Sequence, residues 1–84
     1  MSPTIQPAVV LCLSGHDPSG GAGIQADIES VAAQGCHAAT VITCHTLQDT
    51  LNVQELIPAS RDLFMRQVRL ICRDYTISAI KIGL

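Results

Sequence analysis

The sequence predicts a small α/β fold that is built around a β-α-β unit. Two apolar runs rich in β-branched residues, "AVVLCLS" at 8–14 and "AATVITC" at 38–44, are typical of strands that are covered on both faces. Between the two runs, apolar residues recur with helical spacing at Ile24, Ile28, Val31 and Ala32. Gly35 follows this helical pattern as its expected C-terminal stop. We therefore expect two parallel strands that are joined by a right-handed helical crossover.

The rest of the chain predicts a second helix between two further strands. "NVQELIP" at 52–58 indicates a short extra strand, and "ISAIKIGL" at 77–84 indicates the last one. Ser60 is a favourable N-cap for a second helix that runs to about Asp74. The apolar stripe of this helix consists of Phe64, Val68, Ile71 and Tyr75. The opposite face carries Arg66, Arg69 and Arg73. Because the chain is acidic overall, we interpret these arginines as a solvent-exposed helix face rather than as a nucleic-acid contact.

The composition is that of a folded domain without a strong overall charge. Of the 84 residues, 48% are hydrophobic, and the formal net charge is −2. These values exclude a disordered segment and give no general attraction to nucleic acid or to an anionic membrane. No apolar run approaches the roughly 18 residues of a membrane span, and the N-terminal residues lack the basic character of a secretory signal. We therefore expect a cytoplasmic protein.

The four cysteines do not have the spacing of a metal site. Structural zinc sites usually bring their ligands in closely spaced pairs, whereas no two cysteines of this chain lie within four residues of each other. We therefore expect no bound metal in this chain. Cys12 and Cys72 are interpreted as small hydrophobic residues of the core.

The most informative motif is "GHDPSGGAGIQAD" at 15–27, which lies between the first predicted strand and the first predicted helix. A P-loop would need Lys and Ser or Thr where Gly21 and Ala22 stand. The dinucleotide-binding pattern G-x-G-x-x-A is matched at 21–26, but the loop before it is too long and no acidic residue ends the second strand. The third interpretation is a loop shaped for a small neutral or phosphorylated molecule, with the amides of Ala22 and Gly23 available to oxygen ligands.

Two polar side chains are candidates for such a site. Asp27 lies at the edge of the first apolar stripe, where an inward-facing carboxylate needs a partner. A favourable position near the helix N-terminus would explain Asp27 equally well. Gln48 follows the second predicted strand, where its amide could read the edge of a heterocycle, although an ordinary loop glutamine is the alternative.

The topology predicts that these features gather at one edge of the sheet. Ligands of open α/β sheets bind beyond the carboxyl ends of the strands. Residues 14–15, 44–48 and 83–84 all follow such ends, and the sequence stops before a helix covers the last strand. We therefore expect this chain to carry half of a site.

Three segments resemble a known family. "LSGHDPSGGAGIQAD", "VITCHTLQDT" and "AIKIGL" resemble the N-terminal third of the hydroxymethylpyrimidine and phosphomethylpyrimidine kinases of thiamine biosynthesis, which have the ribokinase-like fold. The resemblance runs from about Val9 to Leu84. It implies a homodimeric kinase that uses ATP and Mg²⁺ to phosphorylate 4-amino-5-hydroxymethyl-2-methylpyrimidine and then its monophosphate. It also implies that the pyrimidine pocket is lined by Gly15, Ala22 and Asp27, and that Gln48 reads the polar edge of the ring.

The chain departs from the family pattern in two places. His16 stands where the family usually has Ser or Thr, and "TCHTLQDT" is bulkier than the usual "TALTAQNT". The family's anion hole, nucleotide-binding segment and catalytic base belong to a C-terminal half that this sequence lacks. We therefore expect residues 1–84 to be the N-terminal substrate-binding part of a ribokinase-like kinase domain, without a catalytic residue and inactive alone. A pyridoxal-type kinase of the same fold and a non-catalytic ligand-binding module are the alternatives.

Overall fold

The computed structural model describes residues 6–83 of the chain. All six predicted elements are present, so the α/β fold class is confirmed. In chain order they are β1 (Val9–His16), α1 (Gly23–Ala33), β2 (His37–Gln48), β3 (Val53–Pro58), α2 (Arg61–Asp74) and β4 (Ile77–Ile82). No helix within this described part is long and apolar enough to cross a membrane.

The four strands form one sheet in the order β3-β2-β1-β4. β1 pairs in parallel with both β2 and β4, which confirms the predicted β-α-β unit. β3 pairs antiparallel with β2 as the second strand of a hairpin, an orientation that the sequence pattern did not specify. The carboxyl ends of β1, β2 and β4 consequently meet at one edge of the sheet.

The two faces of the sheet differ in chemistry. Side chains alternate between the faces along each strand, and the core cluster on one face consists of Val9, Leu11, Ala39 and Val41. The apolar stripe of α2 packs against this cluster through Phe64, Val68 and Ile71. The face of β1 that is next to α1 instead carries Cys12 and Ser14, which are at most 1% exposed. The apolar core therefore lies under α2, and α1 covers small and polar side chains.

The ends of both helices follow from local sequence. The Ser60 hydroxyl accepts a hydrogen bond of 3.1 Å from the Leu63 amide, which confirms the predicted N-cap of α2. Gly35, just beyond α1, has a φ of +75°, a conformation that favours glycine and ends the helix as predicted.

Burial expectations were wrong for Cys72 and for three residues of the predicted apolar stripes, namely Ile28, Ala32 and Tyr75, all of which are exposed. Cys12 is fully buried as expected, but Cys72 is exposed, because it follows Ile71 by one residue and so points about 100° away from the apolar stripe of α2. Ile28 of the first predicted stripe is 44% exposed. The buried residues of α1 are Ile24 and Asp27. α1 is therefore rotated so that a carboxylate faces the sheet.

Candidate functional site

A cleft of about 220 Å³ lies at the carboxyl edge of the parallel strands. Three strands and the glycine loop contribute its lining, which consists of Ser14, Gly15, His16, Asp17, Ala22, Gly23, Cys44, Thr46, Gln48, Lys81 and Gly83. The predicted gathering of residues 14–15, 44–48 and 83 at one edge is thereby confirmed, while Leu84 lies outside the described residues. This volume has room for a single-ring molecule.

The glycine loop brings the start of α1 against the end of β1. Gly23, the first residue of α1, has a φ of +66°, and a Cβ atom at this position would collide with the carbonyl oxygen of Gly15. A residue with a side chain would therefore be strained in conformation and would also push the two segments apart. The permissive loop thus serves a close approach of backbone to backbone, which forms one wall of the cleft.

Asp17 holds the loop in this conformation. Its Oδ1 accepts hydrogen bonds from the amide and hydroxyl of Ser19, at 2.9 and 2.7 Å, and its Oδ2 accepts one of 3.0 Å from the Ala22 amide. The hydrogen bond from the Ser19 hydroxyl is the main reason why the pKa of Asp17 lies below its usual value.

The same contacts correct one expectation about ligands. The Ala22 amide was expected to be available to oxygen ligands, but it donates to Asp17. Because a carboxylate of the protein already occupies this position at the start of α1, a phosphate there would meet negative charge. The loop therefore favours a neutral group beside it.

Asp27 connects three elements beneath the cleft. Its Oδ2 accepts a hydrogen bond of 2.5 Å from the Ser14 hydroxyl of β1, and its Oδ1 accepts one of 2.7 Å from the Lys81 ammonium of β4. The partners that an inward-facing carboxylate needs are therefore present, and Asp27 does not cap the helix. Asp27 was expected to line the pocket, but it lies behind Ser14 and Lys81, which line it instead.

The contacts of Asp27 also determine its charge. Burial raises the pKa of the carboxyl, but the Lys81 ammonium and the Ser14 hydroxyl outweigh burial and hold the pKa below its ordinary value. Asp27 is therefore ionised at neutral pH and forms an ion pair with Lys81. Burial and the negative charge of Asp27 together raise the pKa of the Cys12 thiol, which stays protonated beneath the site.

The other predicted site residues lie on the cleft wall. Gly15, Ala22 and Gln48 all line it, and Gln48 is the last residue of β2. His16 lines the rim, where its ring lies edge-on to that of His45 with 6.0 Å between the centroids. The backbone oxygen of His16 also accepts a hydrogen bond of 2.7 Å from the Thr46 hydroxyl, which joins the end of β1 to β2 at the cleft.

Sequence reasoning missed Lys81 altogether, and it placed Ser14 at this edge of the sheet without identifying it as a partner of Asp27. Their pattern offers a signal, because Lys81 is a single charged residue within the apolar run "AIKIGL" and Ser14 ends the apolar run of β1. A charged side chain in an apolar environment is costly unless it is paired. Lys81 and Asp27 therefore could have been predicted to pair with each other. Within residues 6–83, no group of three or more His, Cys, Asp or Glu side chains could hold a metal ion.

A mostly parallel α/β sheet with a small-molecule cleft at its carboxyl edge has close structural counterparts. The phosphomethylpyrimidine kinase of Clostridium difficile matches with a TM-score of 0.86 and 35% identity, over 92% of this chain and 33% of that chain. The pyridoxal kinase of Bacillus subtilis, solved as an ADP complex, matches with a TM-score of 0.84 and 28% identity, over 94% of this chain and 30% of that chain. These structures define the class: this chain has the ribokinase-like fold.

The sequence comparisons identify the family. The family model described as phosphomethylpyrimidine kinase matches residues 17–84. The hydroxymethylpyrimidine/phosphomethylpyrimidine kinase of Mycobacterium tuberculosis is 37% identical over 82 residues, which are 98% of this chain and 30% of that protein. The chain therefore belongs to the phosphomethylpyrimidine kinase family, and the resemblance noted from the sequence is confirmed. The chain spans about 30% of the length of the curated hydroxymethylpyrimidine/phosphomethylpyrimidine kinases that it matches.

Proposed function

We propose that this chain is the N-terminal, substrate-binding part of a kinase of thiamine biosynthesis. The complete enzyme would phosphorylate 4-amino-5-hydroxymethyl-2-methylpyrimidine and then its monophosphate. In this proposal, residues 1–84 form one part of a single ribokinase-like domain. The observation that carries the proposal is the cleft of about 220 Å³, which a chain of this family builds from the glycine loop and the ends of three parallel strands.

The residues of the cleft suit a neutral heteroaromatic ring. Gln48 presents an amide, which has both donors and an acceptor and so can pair with the aminopyrimidine edge. Gly15 and Ala22 offer a wall with little side-chain bulk, against which a flat ring can pack. Asp27 would contribute from behind this wall, through the two side chains that it binds.

ATP with Mg²⁺ is the phosphoryl donor that we propose for the complete enzyme. The donor set that phosphoryl transfer requires, with metal-binding carboxylates and a cationic phosphate cradle, is not present among residues 6–83. The single lysine at the cleft is paired with Asp27, and the start of α1 is occupied by Asp17. We therefore propose that this chain binds and orients the acceptor.

The remaining properties of the complete enzyme are also proposals. We propose a cytoplasmic homodimer that acts on a small molecule and binds neither nucleic acid nor membrane. The net charge of −2 on residues 1–84 supports the last point for this part of the enzyme, because it gives no general attraction to polyanions.

A steady-state assay of the full-length protein tests the proposed function. ADP formation would be measured with the hydroxymethylpyrimidine, with its monophosphate and with pyridoxal as acceptors. Pyridoxal is the second candidate, because the B. subtilis pyridoxal kinase has nearly the same backbone over this region. A higher kcat/KM for the pyrimidine supports the proposal. Preference for pyridoxal would reassign the substrate, and ligand binding without turnover would favour a non-catalytic binding module.

A further inference from the structure

Lys81 is the one lysine or arginine among the residues that line the cleft. Its side chain is 48% exposed, whereas the Asp27 side chain with which it pairs is only 10% exposed. The ion pair is therefore oriented, with the carboxylate beneath the wall and the ammonium toward the open side.

The ammonium has hydrogen-bonding capacity left for a ligand. A lysine ammonium has three N–H donors, and within residues 6–83 the single acceptor that Lys81 contacts is Asp27 Oδ1, at 2.7 Å. Asp27 is itself held by the Ser14 hydroxyl at 2.5 Å. Lys81 is therefore fixed at one donor while its other donors remain available at the cleft.

The position of Lys81 complements that of Gln48. β1 lies between β2 and β4 in the sheet, and Gln48 of β2 and Lys81 of β4 line the same cleft from opposite sides of β1. A ligand ring that pairs with Gln48 on one side would present its opposite side and its exocyclic group toward Lys81. Because Asp27 balances the lysine charge, this end of the cleft suits a neutral acceptor atom such as an alcohol oxygen.

We propose that Lys81 is a ligand-binding residue that donates a hydrogen bond to the hydroxymethyl oxygen of a heteroaromatic alcohol. Asp27 and Ser14 are the positioning residues that aim the ammonium. This inference rests on the proposed function, because it assigns a contact within the same substrate site.

Calorimetry with two ligands tests the contact directly. The full-length protein would be titrated with the hydroxymethylpyrimidine and with the analogue in which a methyl group replaces the hydroxymethyl group. Lys81→Met should weaken binding of the hydroxymethyl ligand about 10- to 100-fold, the usual loss for a charge-assisted hydrogen bond, and should leave the affinity for the methyl analogue unchanged. Asp27→Asn should reduce the ratio between the two affinities, because Lys81 is then less well aimed. Arg69→Met on the exposed face of α2 is the matched control and should change neither affinity.

The comparison of the two ligands separates a contact from a structural effect. An equal loss for both ligands, or no loss for either, would overturn the proposal. If Lys81→Met fails to fold because it leaves Asp27 buried and unpaired, the double variant Asp27→Asn/Lys81→Met removes that charge as well, and the same pair of titrations decides. Wild-type protein that binds neither pyrimidine would overturn the proposed function, and this inference with it.

Discussion

Replacing Gly23 with alanine should destabilise the protein more than replacing Gly35. Both glycines have a positive φ, but the Cβ position of Gly35 is surrounded by open space. Gly23 has a φ of +66°, and this left-handed conformation costs a residue with a side chain about 1–2 kcal/mol. The new Cβ atom would also collide with the Gly15 carbonyl oxygen, which is backbone and cannot rotate away. Forcing extra atoms into a packed contact costs a further 1–3 kcal/mol or so, which gives a total of about 2–5 kcal/mol.

Substitutions at two other glycines separate the cost of the conformation from the cost of the collision. Gly35 has a φ of +75° with no atom within 4 Å of its Cβ position, so Gly35→Ala should show the conformational cost alone, about 1–2 kcal/mol. Gly21 lacks a positive φ, and its nearest contact, to Asp17 Oδ2, is an ordinary 3.7 Å, so Gly21→Ala should be within about 0.5 kcal/mol of wild type. Urea unfolding of the three full-length variants gives the free energies. Equal losses for Gly23→Ala and Gly35→Ala would refute the argument that the loop serves a close backbone approach.

Three further predictions follow from the site and from the exposed strands. Gln48→Ala should leave polar atoms of the ligand unpaired and weaken pyrimidine binding by about 1–3 kcal/mol without lowering Tm; calorimetry that finds the wild-type Kd would make Gln48 an ordinary surface residue. The folded-state pKa of Asp27 lies below its usual value, so its contribution to stability is present above about pH 4, the unfolded value, and is lost as the pH falls through the folded value. Between pH 7 and pH 3, the free energy of unfolding should therefore depend less on pH for Asp27→Asn than for the wild type. The same pH dependence for both proteins would contradict the assignment. The 84 residues expressed alone should aggregate, because β4 exposes Ile80 and Ile82 at 60% and 75% next to an unpaired strand edge, and a cooperative monomeric transition by circular dichroism and sedimentation would disprove this.

The elements of the fold could be predicted because their local patterns are strong. The β-branched runs of β1 and β2 mark strands, and Ser60 and Gly35 mark helix ends through contacts within a few residues. The antiparallel direction of β3 could not be predicted, since its apolar residues do not alternate with polar ones and the structure leaves the whole strand exposed. Strand direction there depends on a hairpin turn, which Asp49 stabilises by accepting hydrogen bonds from the amides of Leu51 and Asn52.

The candidate site could be predicted only in part, because some of its contacts join residues that are far apart in the sequence. Gly15 and Gln48 lie at the carboxyl ends of β1 and β2, and Ala22 belongs to the glycine loop, so topology and the family resemblance both pointed to them. The pairing of Asp27 with Lys81 joins residues that are 54 positions apart, and no periodicity within either segment specifies it. The availability of the Ala22 amide was misjudged, because a side chain in the same loop, Asp17, binds it.

The distance in sequence between Asp27 and Lys81 has a consequence for the order in which the chain acquires its binding site. Ser14 and Asp27 are only 13 residues apart and can meet as soon as β1 and α1 have left the ribosome, whereas Lys81 arrives 54 residues after Asp27. Contacts between distant residues form late because closing a long loop costs entropy. Until β4 docks, Asp27 has no counterion and the cleft has no third strand. We therefore expect the proposed site to be among the last features of this region to form during synthesis, after the sheet has been extended to β4.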